Sequence, residues 1–458
     1  MSDALNASTV LDSLLYRDAF GTPAMRAVFS DQRFLERCVE VEIALAQAQA
    51  GCGVIPGHAA REIAALARAD KLDLAKLKAE TDNVGYPILP LVHQLATQCG
   101  DSGRYVHWGA TTQDIMDTAL VLQLREAFAA IDEDLRSLRR ILRALATQHR
   151  ATVMAGRTHL QQALPITFGY KACVWLSMLD RHQTRLAQLL PRLMVGQFAG
   201  AVGTLASLGS EGMRVQQALM ERLDLAAPVC TWHVARDNLA EALNLLGLIS
   251  ASLAKIALDV ILLASTEVGE VSEPFVPGRG ASSTMPQKRN PISSELILAA
   301  ARGVRQHAGL MLDAMVQDLE RATGPWHAEW LAVSQGFVLT AGALQQARFL
   351  LRGLEVRPER MRTNLDASRG LIMAEAVMMG LAPHLGRQQA HDVVYEACRR
   401  VHDGASTLAE QLAADPQLKE QLSAAQIAAL GDPANYLGST QAIIDRTIAA
   451  SEAIDRDR

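Results

Sequence analysis

Between Glu273 and Asn290 the chain reads EPFVPGRGASSTMPQKRN, with three prolines and two glycines. Ser282, Ser283, Thr284, Lys288, Arg289 and Asn290 crowd its second half. Hydroxyls beside an ammonium and an amide suit an anionic ligand, a carboxylate above all, because donors and positive charge are offered together. A serine is a poor base near neutral pH because its alkoxide is costly. The same composition also describes a solvated connector, since long loops are either functional or merely mobile. Thr111-Thr112-Gln113 offers two hydroxyls and an amide, again suited to a carboxylate, although Thr-Thr ahead of a helix is also an ordinary N-cap. His159, beside Thr158, carries an imidazole that can move a proton, but a lone histidine is more often structural.

Long helices must position these segments. From Ala110 to Ala155 Gly and Pro are absent, and Leu120, Leu124, Phe128, Ile131, Leu135, Leu138, Leu142 and Leu145 recur at steps of three and four. That spacing predicts a long amphipathic helix packed in a bundle. Phe168–Leu190 reads as a helix stopped by Pro191. Ala235–Glu270 reads as a helix apolar nearly all round, which needs covering on every side. Pro291–Ala322 and Trp326–Glu355 form a pair split at Thr323-Gly324-Pro325. No alternating pattern is long enough to demand a sheet. The fold class expected is all-α, in three helical domains: 1–110, a central long-helix bundle 111–356 carrying the loop 273–290, and 357–458.

Composition narrows the function classes. Aromatics are 4% of residues, so the core must be built from small and unbranched side chains, as packed helices prefer. Lys and Arg number 44 against 49 Asp and Glu, with no long basic block, which argues against nucleic acid or an anionic membrane as a partner. The six cysteines are scattered without a CxxC pair, as in a reduced, cytoplasmic protein. Met1–Asp12 lacks a basic stretch followed by an apolar core, so no signal peptide is expected. The most apolar stretch, Ala242–Ser265, is interrupted by Asn244, Lys255 and Asp259, which suits a buried helix better than a membrane span. No metal site is expected, and no cofactor.

Ser282-Ser283-Thr284-Met285-Pro286-Gln287-Lys288-Arg289-Asn290-Pro291, with Glu295 beyond, resembles the S-S-x-M-P-x-K-x-N-P signature of the fumarase/aspartase superfamily. His107-Trp108-Gly109-Ala110-Thr111-Thr112-Gln113-Asp114 resembles the first substrate-binding segment of that family, and Gly156-Arg157-Thr158-His159-Leu160-Gln161 its second, in the family's order. Asp432-Pro433-Ala434-Asn435-Tyr436-Leu437-Gly438 resembles the C-terminal region of its adenylosuccinate lyase and carboxymuconate branches, so the likeness spans the chain. The resemblance implies proton abstraction next to a carboxylate, through an aci-carboxylate dianion, followed by loss of a group from the neighbouring carbon to give fumarate. It implies Ser282 as the base, with Ser283 the fallback. Thr111, Thr112, Gln113, Thr158, Ser283, Lys288 and Asn290 are implied as substrate ligands, and His159 oriented by Glu295 as acid/base. It further implies a homotetramer whose sites draw their three segments from three subunits. One departure stands out: Ala281 occupies a position where the family usually has glycine, which leads us to expect a slightly different loop geometry.

The surrounding stretches HWGATTQDIMDTALVLQL, WHVARD and PWHAEW look like 3-carboxy-cis,cis-muconate cycloisomerases. That branch pattern lacks both the histidine of GRTH and the glutamate after the loop, whereas this chain has His159 and Glu295. The pair favours a fumarate-releasing lyase. Adenylosuccinate lyase fits less well, because its phosphate-binding arginine is missing from Trp326-His327-Ala328-Glu329-Trp330 and its H-D-V element reads Asp82-Asn83-Val84. The expected substrate is a small, non-nucleotide substituted succinate. The alternatives are the cycloisomerase reaction and a non-catalytic scaffold.

Overall fold

The structure is a computed structural model that describes residues 7–321, 323–404 and 406–456. Residues 1–6, part of the N-terminal reading, and Ala322, the expected end of one helix, lie outside the described residues. Helices dominate, as the composition requires. The long ones are α1 (Asp31–Gly51), α2 (Thr112–Gln148), α3 (Phe168–Leu193), α4 (Asp237–Ala264), α5 (Ile292–Ala314), α6 (Gly324–Arg352) and α7 (Thr440–Arg456). Each expected long helix is present, but α2, α4 and α5 end at Gln148, Ala264 and Ala314, about two turns short of the expected limits. Helix α6 takes in Gly324 and Pro325 of the expected break.

The stripe on α2 is buried as its periodicity demands: Leu124, Phe128, Ile131, Leu135, Leu138 and Leu142 are all at most 1% exposed. The helix stops at Gln148, short of Ala155, because the chain folds back on its end. Phe168 N–H donates to Thr152 O and Gly169 N–H to His149 O, both at 2.9 Å. A side chain at Gly169 would meet Ala146 O at 2.6 Å, so only glycine permits this approach. Pro191 does not stop α3, which runs on to Leu193. The missing N–H falls in the last turn, where the ladder is ending anyway.

The sheet content is where expectation and structure part. Val153–Thr158 (β1) and Gln161–Thr167 (β2) pair as an antiparallel hairpin, with an irregularity between Ala155 and Arg157. A two-residue strand pair, Val271–Ser272 with Glu355–Val356, flanks the loop. The hairpin turn is His159-Leu160, at φ 51° and 61°. Two consecutive positive φ values are what a two-residue type I′ turn demands, normally from Asn or Gly. His-Leu gives no such signal.

Helix α4 contains a window of mean hydropathy 2.0 that is long and apolar enough to cross a membrane by length and composition, with 44% of it buried. Leu248, Leu258 and Leu262 on this helix are 43–49% exposed. The chain divides into two compact units. One comprises residues up to Leu135 with His182–Leu253 and Leu296–Gln345; the other comprises Arg136–Arg181, Ala254–Glu295 and the chain from Gln346 on. Each unit has its own apolar interior, since long helices supply both.

Candidate active site

In the first unit, Thr111 and Thr112 open α2 and are half-buried. The cap comes from Asp114, which is fully buried. Its carboxylate accepts from Thr111 N–H at 3.0 Å, Ala199 N–H at 2.9 Å, Gly200 N–H at 3.0 Å and the His233 ring at 2.8 Å. The Asp114 N–H donates to the Thr111 carbonyl at 3.0 Å, not to its hydroxyl. The threonine hydroxyls are thus spared from capping, which was the ordinary reading of this pair. Gln113 is turned inward. It is fully buried, and its Nε2 donates to His233 O at 2.8 Å. Its Oε1 is buried with no protein partner. The Nε2 bond ties the Thr111-Thr112-Gln113 segment to His233 from behind.

His107 adopts φ 61°, and Glu42 holds it by accepting from its N–H at 3.1 Å and contacting its Nδ1 at 2.6 Å. Burial pushes the imidazole down, but the Glu42 charge and hydrogen bond, with Asp114 behind, outweigh it and raise the pKa. Deeper in the unit, Arg236 is completely buried between two carboxylates. It donates to Asp117 at 2.7 and 2.9 Å and to Glu329 at 2.8 and 2.6 Å. Burial alone would lower its pKa, yet the two anions raise it overall. Burial lifts the Glu329 carboxyl, with Arg236 pulling the other way. Asp114, His233, Arg236 and Glu329 were not among the expected site residues. Their sequence signals were the HWGATTQD segment for Asp114, the WHVARD stretch for His233 and Arg236, and the PWHAEW stretch for Glu329.

In the second unit, Thr158 ends β1 and His159 occupies the hairpin turn, both exposed. Arg157 aims the hairpin. Its guanidinium makes a bidentate pair with the fully buried Glu270, at 3.0 and 2.6 Å, and Asn364 donates to the same carboxylate at 2.8 Å.

The loop is stitched at its base. Glu273 accepts from Ser293 N–H at 3.0 Å, Ser294 N–H at 2.8 Å and the Ser294 hydroxyl at 2.8 Å, which caps α5. Arg289 donates to Glu273 O at 3.0 Å. Arg279 donates to the Ser293 hydroxyl at 2.6 Å and to Gln346 at 2.9 Å. Asn290 N–H donates to Gly280 O at 3.0 Å, and Ala281 bridges Arg289. The left-handed positions are Gly278 (φ 79°) and Gly280 (φ 69°), not Ala281. Alanine is therefore tolerated at 281, and the expected change in loop geometry is not required there.

At the tip, the Ser282 Oγ accepts from Met285 N–H at 3.0 Å and Thr284 N–H at 3.3 Å. Two N–H dipoles aimed at this oxygen favour its anionic form. Ser283 and Lys288 are exposed, and Asn290 is half-buried. Glu295 sits exposed in the first turn of α5. Among the described residues, no hydrogen bond joins His159, Ser282 and Glu295 to one another. Nor does any group of three His, Cys, Asp or Glu stand ready to hold a metal ion.

The family model described as "Lyase" matches residues 19–305, more than half of the chain, and "Adenylosuccinate lyase C-terminus" matches residues 370–447. The chain belongs to the fumarase/aspartase superfamily. It is an enzyme of that lyase superfamily, with the all-α, multi-domain fold of its neighbours. A fumarate lyase structure from a Mesorhizobium species superposes with a TM-score of 0.89 at 53% identity, covering 94% of this chain and 98% of that one. A trans-aconitate decarboxylase of Mycosarcoma maydis is 47% identical, over 94% of this chain and 88% of its own length. A 3-carboxy-cis,cis-muconate cycloisomerase of Pseudomonas aeruginosa is 45% identical, over 98% of both.

Proposed function

We propose that the enzyme cleaves a C–N bond in a small, non-nucleotide substituted succinate and releases fumarate by β-elimination. The observation that carries this reading is the Ser282 oxygen held by two backbone N–H groups beside Lys288 and Asn290. Ser282 takes the proton next to one carboxylate. Lys288, Asn290, Ser283, Thr111, Thr112 and Thr158 donate to the dianion that results. His159, oriented by Glu295, protonates the departing nitrogen. Gln113 acts by holding the Thr111-Thr112 segment in place through His233. The part-exposed leucines of α4 are in keeping with a homotetramer in which segments from different subunits meet, and hence with His159 and Glu295 pairing between chains. In the same reading the chain comprises three helical domains with limits near residues 110 and 356, and the enzyme is cytoplasmic.

The second reading is 3-carboxy-cis,cis-muconate cycloisomerase, which the 45% identity to the Pseudomonas aeruginosa enzyme favours. It uses the same carbanion chemistry on an intramolecular closure. Purified enzyme assayed with N-substituted aspartates, 3-carboxymuconate and trans-aconitate separates these reactions. Fumarate from the aspartates is the expected result, and Ser282→Ala lowers that rate by roughly 10²–10⁴-fold. Loss of the muconate diene without fumarate from any aspartate would replace the first reading by the second.

A further inference from the structure

The first turns of α2 carry more than the threonine pair. Thr112, Met116, Leu120 and Gln123 stand at i, i+4, i+8 and i+11, one stripe along a single helix face. The last three line a cavity of about 320 Å³ in the first unit. Each helical turn rises about 5.4 Å, so the cavity begins roughly one turn from Thr112. Its far wall is α6, through Trp326 and Trp330. These indoles are held in a ring cluster: Tyr86 stacks on Trp326 at 5.7 Å, and His327 lies 4.6 Å from Trp330. In a chain with so few aromatics this is a rigid, costly wall. Trp330 is 40% exposed, which leaves the cavity an opening.

Charge limits what can enter. The lining includes the carboxylates of Asp31, Asp117 and Glu329, and no described lining residue is Lys or Arg. Arg236 lies behind Asp117 and Glu329 with its donors spent on them. The cavity is therefore neutral to negative, and apolar over most of its wall.

We infer that this cavity receives the leaving group, and that it selects an amine bearing an aromatic or alkyl body without a carboxylate of its own. The inference rests on the C–N lyase reading above. The substrate class is an N-arylalkyl aspartate. The base removes a proton from C3, the C2–C3 double bond of fumarate forms, and both C2–N electrons pass to nitrogen. That nitrogen takes a proton and departs as the amine, with nothing oxidised or reduced. With one carboxylate at Thr111 and Thr112, the nitrogen substituent extends along the Met116–Leu120 stripe. The volume suffices: an apolar cavity of about 150 Å³ already accepts benzene. An anionic leaving group would be placed against carboxylates and is disfavoured.

The experiment compares kcat/KM for N-benzyl-L-aspartate and N-carboxymethyl-L-aspartate, with benzylamine binding followed separately by calorimetry. The benzyl substrate is expected to win by at least about 30-fold, equivalent to about 2 kcal/mol. Trp330→Ala, at an exposed position, should raise KM for it about tenfold with kcat changed less than about threefold. Met116→Trp, which fills the cavity, should weaken benzylamine binding by a similar factor. Equal turnover of both substrates, or a preference for the carboxylated one, overturns the cavity's role while leaving the lyase intact. Benzylamine binding that Met116→Trp abolishes, with no fumarate from any aspartate, upholds the cavity as an amine site and overturns the lyase. Benzylamine binding unchanged in both variants refutes the inference outright.

Discussion

Glu273 is the residue through which the loop base can be tested most directly. One carboxylate oxygen accepts from Ser294 N–H and its hydroxyl, and the other from Ser293 N–H. Glu273→Gln keeps the shape and one acceptor. The amide oxygen retains the two Ser294 bonds, but the NH₂ group now points at the Ser293 N–H, donor against donor. A buried donor left unpaired costs about 1–3 kcal/mol, and removing the anion from the N-terminus of α5 adds about 0.3–1 kcal/mol. The total, about 1–4 kcal/mol, is a local cost that lowers the opening energy of the first turn of α5. At 1.4 kcal/mol per tenfold, the amides of Ser293 and Ser294 should exchange with solvent about 5- to 700-fold faster. Hydrogen exchange by mass spectrometry on a peptide covering 286–298 reads this. Turnover should fall as well, since Asn290 and Lys288 hang from the same base, while Ala-rich interior peptides of α2 keep their protection. Exchange at 293–294 accelerated less than twofold, with kcat unchanged, would refute the reasoning that Glu273 holds the loop.

Arg157→Met should destabilise the second unit by about 3–5 kcal/mol in denaturant unfolding, because it strands the fully buried Glu270. The His107 imidazole has its pKa raised above 6.5 in the fold. Its contribution to stability is therefore full below pH 6.5 and is lost as pH rises through the folded value. His107→Asn should flatten the decline in stability above pH 6.5 in a pH series of unfolding curves, and an unchanged slope counts against the Glu42 pairing. Gly280→Ala sets a methyl 2.6 Å from Asn290 O at φ 69°, whereas Gly278→Ala, with nothing within 4 Å, meets only the backbone strain. Turnover should accordingly fall much further in the first variant than in the second, measured side by side.

Local chemistry is legible in one dimension, and it carried a good deal here. The Gly- and Pro-free run of α2 and its three- and four-residue leucine steps specify a helix whatever surrounds it, because the 3.6-residue period acts within a few residues. The prolines and glycines of 273–290 likewise forbid a helix there and place Ser282 and Lys288 on a loop. What pairs distant positions is not legible. The hairpin that carries Thr158 and His159 is invisible because its turn, His159-Leu160, accepts positive φ without glycine or asparagine, and the Arg157–Glu270 pair, the Gln162 bond to Asn364 O and the strand pairing offset that strain. Gln113 looks from its neighbours like a carboxylate ligand. It faces inward because His233, 120 positions away, offers a carbonyl to its amide. Arg236 meets Asp117 and Glu329 at separations of 119 and 93 residues, and only folding brings two carboxylates to bury that charge. Short-range sterics and hydrophobic period are written into the chain, whereas desolvated charge must find its partner in three dimensions.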